Sequence, residues 1–241
     1  YKISLFHGYG PKTTIAAKDD EKAKIIRMNR INKFDYINYT SPYLVNKISK
    51  TIFGVPRNKA KILGFPKNDN FFDEDYIKEK ISNKTFTKSI FKNVNKNSKV
   101  ILYTPTWRPY RYNLPILDLI DFNAATFENY LNKNNLFFVY SIHSVRKPSS
   151  LLDDSSRIKL INEKYPLYDT NAMMLESSVL LNDYATTSVE FSILNRPQLF
   201  CMPDYDKYKN NKGFIEDYET NIPGKSVKSF HELLIIFDEI L

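Results

Sequence analysis

The residues able to do chemistry in this chain sit where apolar runs end. His7 follows the apolar stretch Tyr1 to Phe6 and opens the turn His7-Gly-Tyr-Gly-Pro-Lys12. An imidazole held in a tight loop titrates near neutral pH and suits removal of a proton from an attacking hydroxyl. A loop histidine with an ordinary backbone hydrogen bond explains the same residue. His143 closes the run Phe137 to Ile142 and precedes Arg146 and Lys147. That setting suits donation to phosphate oxygens, and it also fits a structural histidine. The third histidine, His231, lies inside Ser229-Phe-His-Glu232 and reads as solvent-exposed. Arg108 ends Thr104-Pro-Thr-Trp-Arg108, where a planar guanidinium can grip a diphosphate through two parallel bonds; its position is the only argument for that role. Trp107 reads as a packing residue. In Asn182-Asp-Tyr-Ala-Thr-Thr187, Asp183 suits hydroxyl recognition, and Thr186 and Thr187 offer hydroxyls and amides to phosphate. Capping of the following helix uses the same residues, and the two roles are compatible.

Other chemistries are excluded. One cysteine, Cys201 in the apolar run Gln198 to Met202, allows no internal disulfide and reads as a small buried hydrophobe. No Gly-x-x-x-x-Gly-Lys-Ser/Thr loop, Gly-x-Gly-x-x-Gly fingerprint or Gly-x-Ser-x-Gly elbow is present, and the three dispersed histidines argue against zinc, so no metal is expected. The excess of 35 Lys+Arg over 27 Asp+Glu, net +8, favours polyanionic partners, although on charge alone a lysine- and asparagine-rich background composition is the better explanation. The apolar runs fall far short of the roughly 20 residues that cross a bilayer.

The elements that must position these residues follow from periodicity. Short β-branched and aromatic runs alternate with polar stretches, the pattern of βα units around a parallel sheet. Strands are expected near Ile3 to Phe6, Tyr36 to Tyr39, Lys61 to Leu63, Val100 to Thr104, Phe137 to Ile142, Ile158 to Ile161, Val179 to Asn182 and Gln198 to Cys201. Helices are expected near Asp19 to Asn29, Tyr43 to Ile52, Phe122 to Asn132, Thr170 to Glu176, Thr187 to Leu194 and Phe230 to Leu241. Both Thr187-Ser-Val-Glu190 and Ser229-Phe-His-Glu232 match a capping box. The Lys- and Asn-rich stretch Asn70 to Ser98 lacks a strong period and reads as a connection or boundary. At 42% hydrophobic, 241 residues build a sizeable core; the apolar opening at Tyr1, without methionine, reads as a fragment of a longer chain.

The order of these clusters resembles the CDP-glycerol glycerophosphotransferase family, which includes teichoic acid primases and polymerases. His7-Gly-Tyr-Gly-Pro-Lys12, Gly64-Phe-Pro-Lys-Asn-Asp69, Thr104-Pro-Thr-Trp-Arg108, His143, Asn182-Asp-Tyr-Ala-Thr186, Gly213-Phe-Ile-Glu-Asp-Tyr-Glu219 and Pro223-Gly224 follow that family's succession along essentially the whole chain. The departures are Lys67 for Arg, Asn182 for Thr, Ala185 for Ser, Ser178 for Asp, and an extra glycine in the first motif.

The resemblance implies an α/β, GT-B-like architecture, two Rossmann-like domains with parallel sheets facing across a cleft. Residues 1–60 would end the first, acceptor-side domain and 61–241 would form the donor-binding one. It implies His7 and His143 as catalytic residues, and Arg108, Asn68, Asp69, Asp183, Thr186 and Thr187 around the donor. The implied donor is CDP-glycerol or CDP-ribitol, with no further cofactor and with CMP as product. The acceptor would be lipid-linked or polymeric, in teichoic acid or capsule synthesis. Peripheral contact with the cytoplasmic face of a bacterial membrane, and no nucleic acid, complete the expectation. A GT-B glycosyltransferase using a nucleotide-sugar is the alternative, and a non-catalytic polyanion-binding domain the third.

Overall fold

The computed structural model describes residues 1–5, 21–49, 55–106, 108, 110, 113–142, 152–161, 169–214 and 216–241. A small first lobe carries a three-stranded parallel sheet of β1 (Ile3–Ser4), β2 (Tyr36–Tyr39) and β3 (Ala60–Ile62), in that order. Helix α1 (Glu21–Ile31) separates β1 from β2. After β2 comes a short turn, α2 (Pro42–Leu44), started by Ser41, whose hydroxyl accepts from the Leu44 amide at 3.3 Å. It runs into a π-turn over Val45–Ser49, so the helix expected from Tyr43 is a three-residue turn followed by a wider one. Ile37, Tyr39 and Val55 form the lobe's core. Because β3 pairs with β2, with Ile37 opposite Ala60 and Tyr39 opposite Ile62, a division between residues 60 and 61 falls inside a strand of the first sheet.

The second lobe is built on six parallel strands: β4 (Lys99–Tyr103), β5 (Leu136–Ser141), β6 (Ile158–Ile161), β7 (Val179–Asn182), β8 (Gln198–Cys201) and β9 (Lys225–Val227). Their order is β6-β5-β4-β7-β8-β9. Both faces are covered, which explains why the strand sequences are nearly continuous in apolar residues. Ile101, Tyr103, Phe138, Tyr140 and Leu181 point to one face and meet Phe127, Leu131, Leu233 and Phe237. These last four belong to α5 (Ala124–Lys133) and α10 (Phe230–Ile240). Val100, Leu102, Phe137, Val139 and Leu180 point to the other face, under Phe71, Phe86, Phe91, Met174 and Phe191. Each such fully buried large side chain contributes about 1.5–3 kcal/mol. Cys201 is fully buried in this core, as its apolar neighbours suggested.

Asn70 to Ser98 is not a connection. It holds α3 (Glu74–Asn83) and α4 (Thr85–Ile90), and Phe86 and Phe91 enter the core. Asp73 caps α3 by accepting from the Tyr76 amide at 3.0 Å, and the left-handed Lys84 (φ 45°) breaks the pair. The start of α4 is capped from elsewhere in the chain. Glu176, buried at the end of α6 (Thr170–Glu176), accepts from the amides of Phe86 and Thr87 at 2.9 and 2.7 Å and from the Thr87 hydroxyl at 2.6 Å. No local pattern announces such a cap.

The capping box expected at Thr187 does not form either. Helix α7 (Thr187–Phe191) has Thr186 at its cap with no side-chain bond, and Glu190 turns to Lys67 instead. At Ser229 the cap is present, its hydroxyl accepting from the Glu232 amide, and His231 on the first turn of α10 is exposed. Three further elements had no expectation: α8 (Tyr205–Lys212), α9 (Tyr218–Asn221) and β9. Gly224 explains the Pro-Gly before β9, since a Cβ there would lie 2.0 Å from the Gln198 carbonyl oxygen of β8.

Candidate functional site at the carboxyl edge of the sheets

From β4 the chain runs to β5 and β6 on one side, then returns to lay β7, β8 and β9 on the other. Strand order therefore reverses between β4 and β7, and ligands of open parallel sheets bind in the crevice that such a reversal leaves at the carboxyl ends. The Thr104–Arg108 segment leaves β4 at that point and the Asn182–Thr187 segment leaves β7.

Buried polar groups lock the two segments together. The Thr104 amide donates to the Leu181 carbonyl at 3.1 Å, and its hydroxyl to Asn182 Oδ1 at 3.0 Å. Asn182 Nδ2 donates onward to the Ala185 carbonyl at 3.1 Å, which shapes the loop before α7. Asp183 is fully buried; both its oxygens accept from the Thr106 amide at 2.9 Å, and Oδ2 takes Arg108 Nη1 at 2.6 Å. It also accepts from the Tyr184 amide, while its carbonyl takes the Tyr218 hydroxyl.

Arg108 is the centre of this arrangement, its side chain 1% exposed. Nε and Nη2 donate to Asp204 at 2.5 and 2.9 Å, and Nη1 donates to Asp183 and to the Thr106 carbonyl at 2.7 Å. The rings of Tyr184 and Tyr208 lie 4.9 and 5.5 Å from the guanidinium carbon. Burial opposes the charge, but Asp183 and Asp204 outweigh it and hold the arginine well above its usual pKa, protonated at any working pH. The guanidinium that the sequence offers to a diphosphate is spent inside the protein. What it does there is tie the exits of β4, β7 and β8. Asp204, absent from the expected site, is its chief partner; the signal was a carboxylate three residues past an apolar strand, indistinguishable in sequence from a helix cap.

Asn68 and Asp69 lie on the 3-10 turn Pro66–Phe71, which follows the first lobe. This turn is pinned to the second lobe through Lys67, whose ammonium meets Glu190 of α7 at 2.5 Å and whose carbonyl accepts from Asn171 of α6. The structure thus brings Asn68 and Asp69 to the helix that starts at Thr187. Asp69 is exposed, and Thr186 and Thr187 are half-buried. Asn68 Oδ1 is buried without a hydrogen-bond partner among the described residues, a state that costs about 1–3 kcal/mol unless something donates to it.

The first lobe contributes a strand-exit tie that the sequence reading missed. Asn38, fully buried near the end of β2, donates to the Gly64 carbonyl at 2.5 Å and the Leu5 carbonyl at 3.5 Å, and accepts from the Leu63 amide at 3.0 Å. Gly64, at φ +74°, makes the turn that leads to Asn68. His7 and His143, with Trp107, lie outside the described residues. Leu5, two residues before His7, and Ile142, just before His143, bring the chain to the carboxyl edges of β1 and β5. The lobes also touch directly, Lys47 meeting Glu216 at 3.0 Å and Tyr43 hydrogen-bonding the same carboxylate. Among the described residues no group of three or more His, Cys, Asp or Glu is placed to hold a metal, and no helix is long and apolar enough to cross a membrane.

Two parallel α/β lobes, with polar loops gathered at the carboxyl edges of their sheets, define a GT-B-like protein. Residues 2–241 match the model of the CDP-glycerol:poly(glycerophosphate) glycerophosphotransferase family, and the chain belongs to that family. It is similar to the teichoic acid glycerol-phosphate primase of Bacillus subtilis (strain 168), 28% identical over 238 residues, covering 96% of this chain and 58% of the relative. It also resembles the ribitol-phosphate polymerase TarL of Staphylococcus aureus (strain NCTC 8325 / PS 47), 24% identical, covering 86% of this chain and 37% of that protein. The chain thus spans less than two thirds of these relatives. Among solved structures, the wall teichoic acid polymerase TagF superposes with a TM-score of 0.78 at 21% identity, covering 99% of this chain and 59% of that one. A TagF structure with CDPG superposes at 0.73.

Proposed function

We propose that the protein containing this chain transfers a phospho-alditol from CDP-glycerol or CDP-ribitol to an acceptor hydroxyl and releases CMP. The observation that carries this reading is the meeting of the Thr104–Arg108 and Asn182–Thr187 motifs at the strand reversal, in a chain that matches the family from end to end. TagF, solved with CDPG, supplies the donor class. In the proposed reaction His7 takes the proton of the acceptor hydroxyl, whose oxygen attacks the alditol-bearing phosphorus. The bond from that phosphorus to the CMP oxygen breaks, and CMP leaves with the electron pair. Charge developing on the phosphoryl oxygens falls to His143 and to the amides and hydroxyls of Thr186 and Thr187 at the start of α7.

Asn68 fits a neutral donor. Its orphan carbonyl oxygen suits the amine of cytosine or a hydroxyl of the alditol, with Asp69 beside it. Arg108 and Asp183 act by holding the loops, not by touching phosphate. The acceptor, lipid-linked or polymeric, and a peripheral position at the cytoplasmic membrane face belong to the same proposal.

Incubating the full-length protein with CDP-glycerol or CDP-ribitol and a lipid-linked acceptor, and reading CMP release and product mass, tests it. CMP release that falls by about 100- to 10,000-fold in His7→Ala is expected for loss of a positioned base, with a comparable loss in His143→Ala. Full turnover by both folded variants overturns the site. Release of UDP or GDP from nucleotide-sugars, and none of CMP, replaces the reading with glycosyl transfer.

A further inference from the structure

The geometry points to Asp204 as a positioning residue of the donor site, an inference that rests on the function just proposed. Asp204 lies just beyond β8 and heads α8, where a helix-capping role would explain it, yet its side chain makes no cap bond. The carboxylate is committed elsewhere. It accepts from Arg108 Nε and Nη2 at 2.5 and 2.9 Å, from the Tyr110 hydroxyl at 3.0 Å and from the Tyr184 hydroxyl at 3.2 Å. Gripping the guanidinium side-on fixes its plane and leaves Nη1 aimed at Asp183 and the Thr106 carbonyl.

Stability alone does not call for this. One carboxylate, Asp183, already pairs with Arg108, and burying a second against the same cation costs desolvation that apolar packing avoids. What the second carboxylate adds is orientation. Without it the guanidinium can turn about its stem, and the Thr106–Asp183 contact that sets the spacing of the two donor loops loses its brace. Asp204 touches no reacting atom in this scheme; it acts through Arg108.

Asp204→Asn keeps the size of the side chain but removes the charge and presents an amide donor to Arg108. The expected result is a donor KM raised and kcat/KM for CDP-glycerol lowered by about 100-fold, the scale of an ångström misplacement in a site, with kcat per folded molecule changed far less. Exchange of the Thr106 and Tyr184 amides accelerates in the same variant. Should Asp204→Asn not fold, Tyr110→Phe with Tyr184→Phe keeps the Arg108 ion pairs and removes the two tyrosine hydroxyls that donate to Asp204. The same pattern is expected there at smaller size. A lowered Tm with an unchanged donor KM in the folded enzyme, or unchanged exchange at Thr106 and Tyr184, overturns the inference. A wild-type protein that releases no CMP sinks the functional reading instead, and the amide exchange then decides the positioning role by itself.

Discussion

The two lobes solve one problem with different chemistry. In each, parallel strands end at a common edge and a buried polar side chain ties their exits together. The first lobe uses the neutral amide of Asn38, which donates to Gly64 and Leu5 and accepts from Leu63. The second uses a charged triad, Asp183–Arg108–Asp204, ringed by Tyr110, Tyr184, Tyr208 and Tyr218. An amide carries donor and acceptor on one group and needs no counter-charge, so it ties neighbouring strands cheaply. A guanidinium spans three strand exits with a rigid fork, but only if every charge is met.

Removing the centre of the triad should have the largest effect. Arg108→Met removes the cation that two buried carboxylates share and is expected to cost about 3–5 kcal/mol in urea unfolding, with loss of CMP release. A loss below about 1 kcal/mol, the worth of an exposed pair, would mean that the carboxylates had found water, and the contrast between the lobes would collapse. Asn38→Leu is a milder break. It takes the donor from Gly64, while the Leu63 amide keeps a 3.2 Å bond to the Tyr39 carbonyl. A destabilisation of about 1–3 kcal/mol is expected for stranded buried polar groups, read by the same unfolding curves; equality with Arg108→Met would erase the distinction between neutral and charged ties.

The contact between the lobes is the weakest and sharpens the comparison by its pH dependence. The Tyr43 hydroxyl first, and Lys47 second, hold the Glu216 carboxyl below its ordinary range. A carboxyl lowered in the folded state stabilises above its unfolded value of about 4.3, and that contribution disappears as pH falls through the folded value. The group is solvent-exposed, so the expected effect is a titration shift and no measurable change in unfolding. Lys47→Met should move the Glu216 carboxyl back toward the ordinary range in a carbon-13 NMR titration. An unmoved titration removes Lys47 from the contact.

Much of both sheets was legible from local pattern. Tyr36–Tyr39, Ile158–Ile161, Val179–Asn182 and Gln198–Cys201 form the strands that their apolar runs announce, and Thr170–Glu176 is the helix expected there. Short apolar runs bounded by turn residues read as strands by their length. Elements with a thin apolar face were not legible. Helix α8, Tyr-Asp-Lys-Tyr-Lys-Asn-Asn-Lys, buries only Tyr205 and Tyr208, and β9 is three residues that pair because Gly224 lets β8 come close. The capping box at Thr187 failed because Lys67, 123 residues away in sequence, took Glu190.

Which residues stand at the carboxyl edge was a local matter: an apolar run must end somewhere, and the polar residue that ends it is presented there. The family match rests on that same level, on motifs in order. Which charge meets which was settled only by strand order. Arg108 and Asp204 are 96 residues apart, and they meet because β4, β7 and β8 are neighbours. A guanidinium after a strand looks identical in sequence whether it faces a ligand or two buried carboxylates; desolvation and the partners available at the sheet edge choose between them.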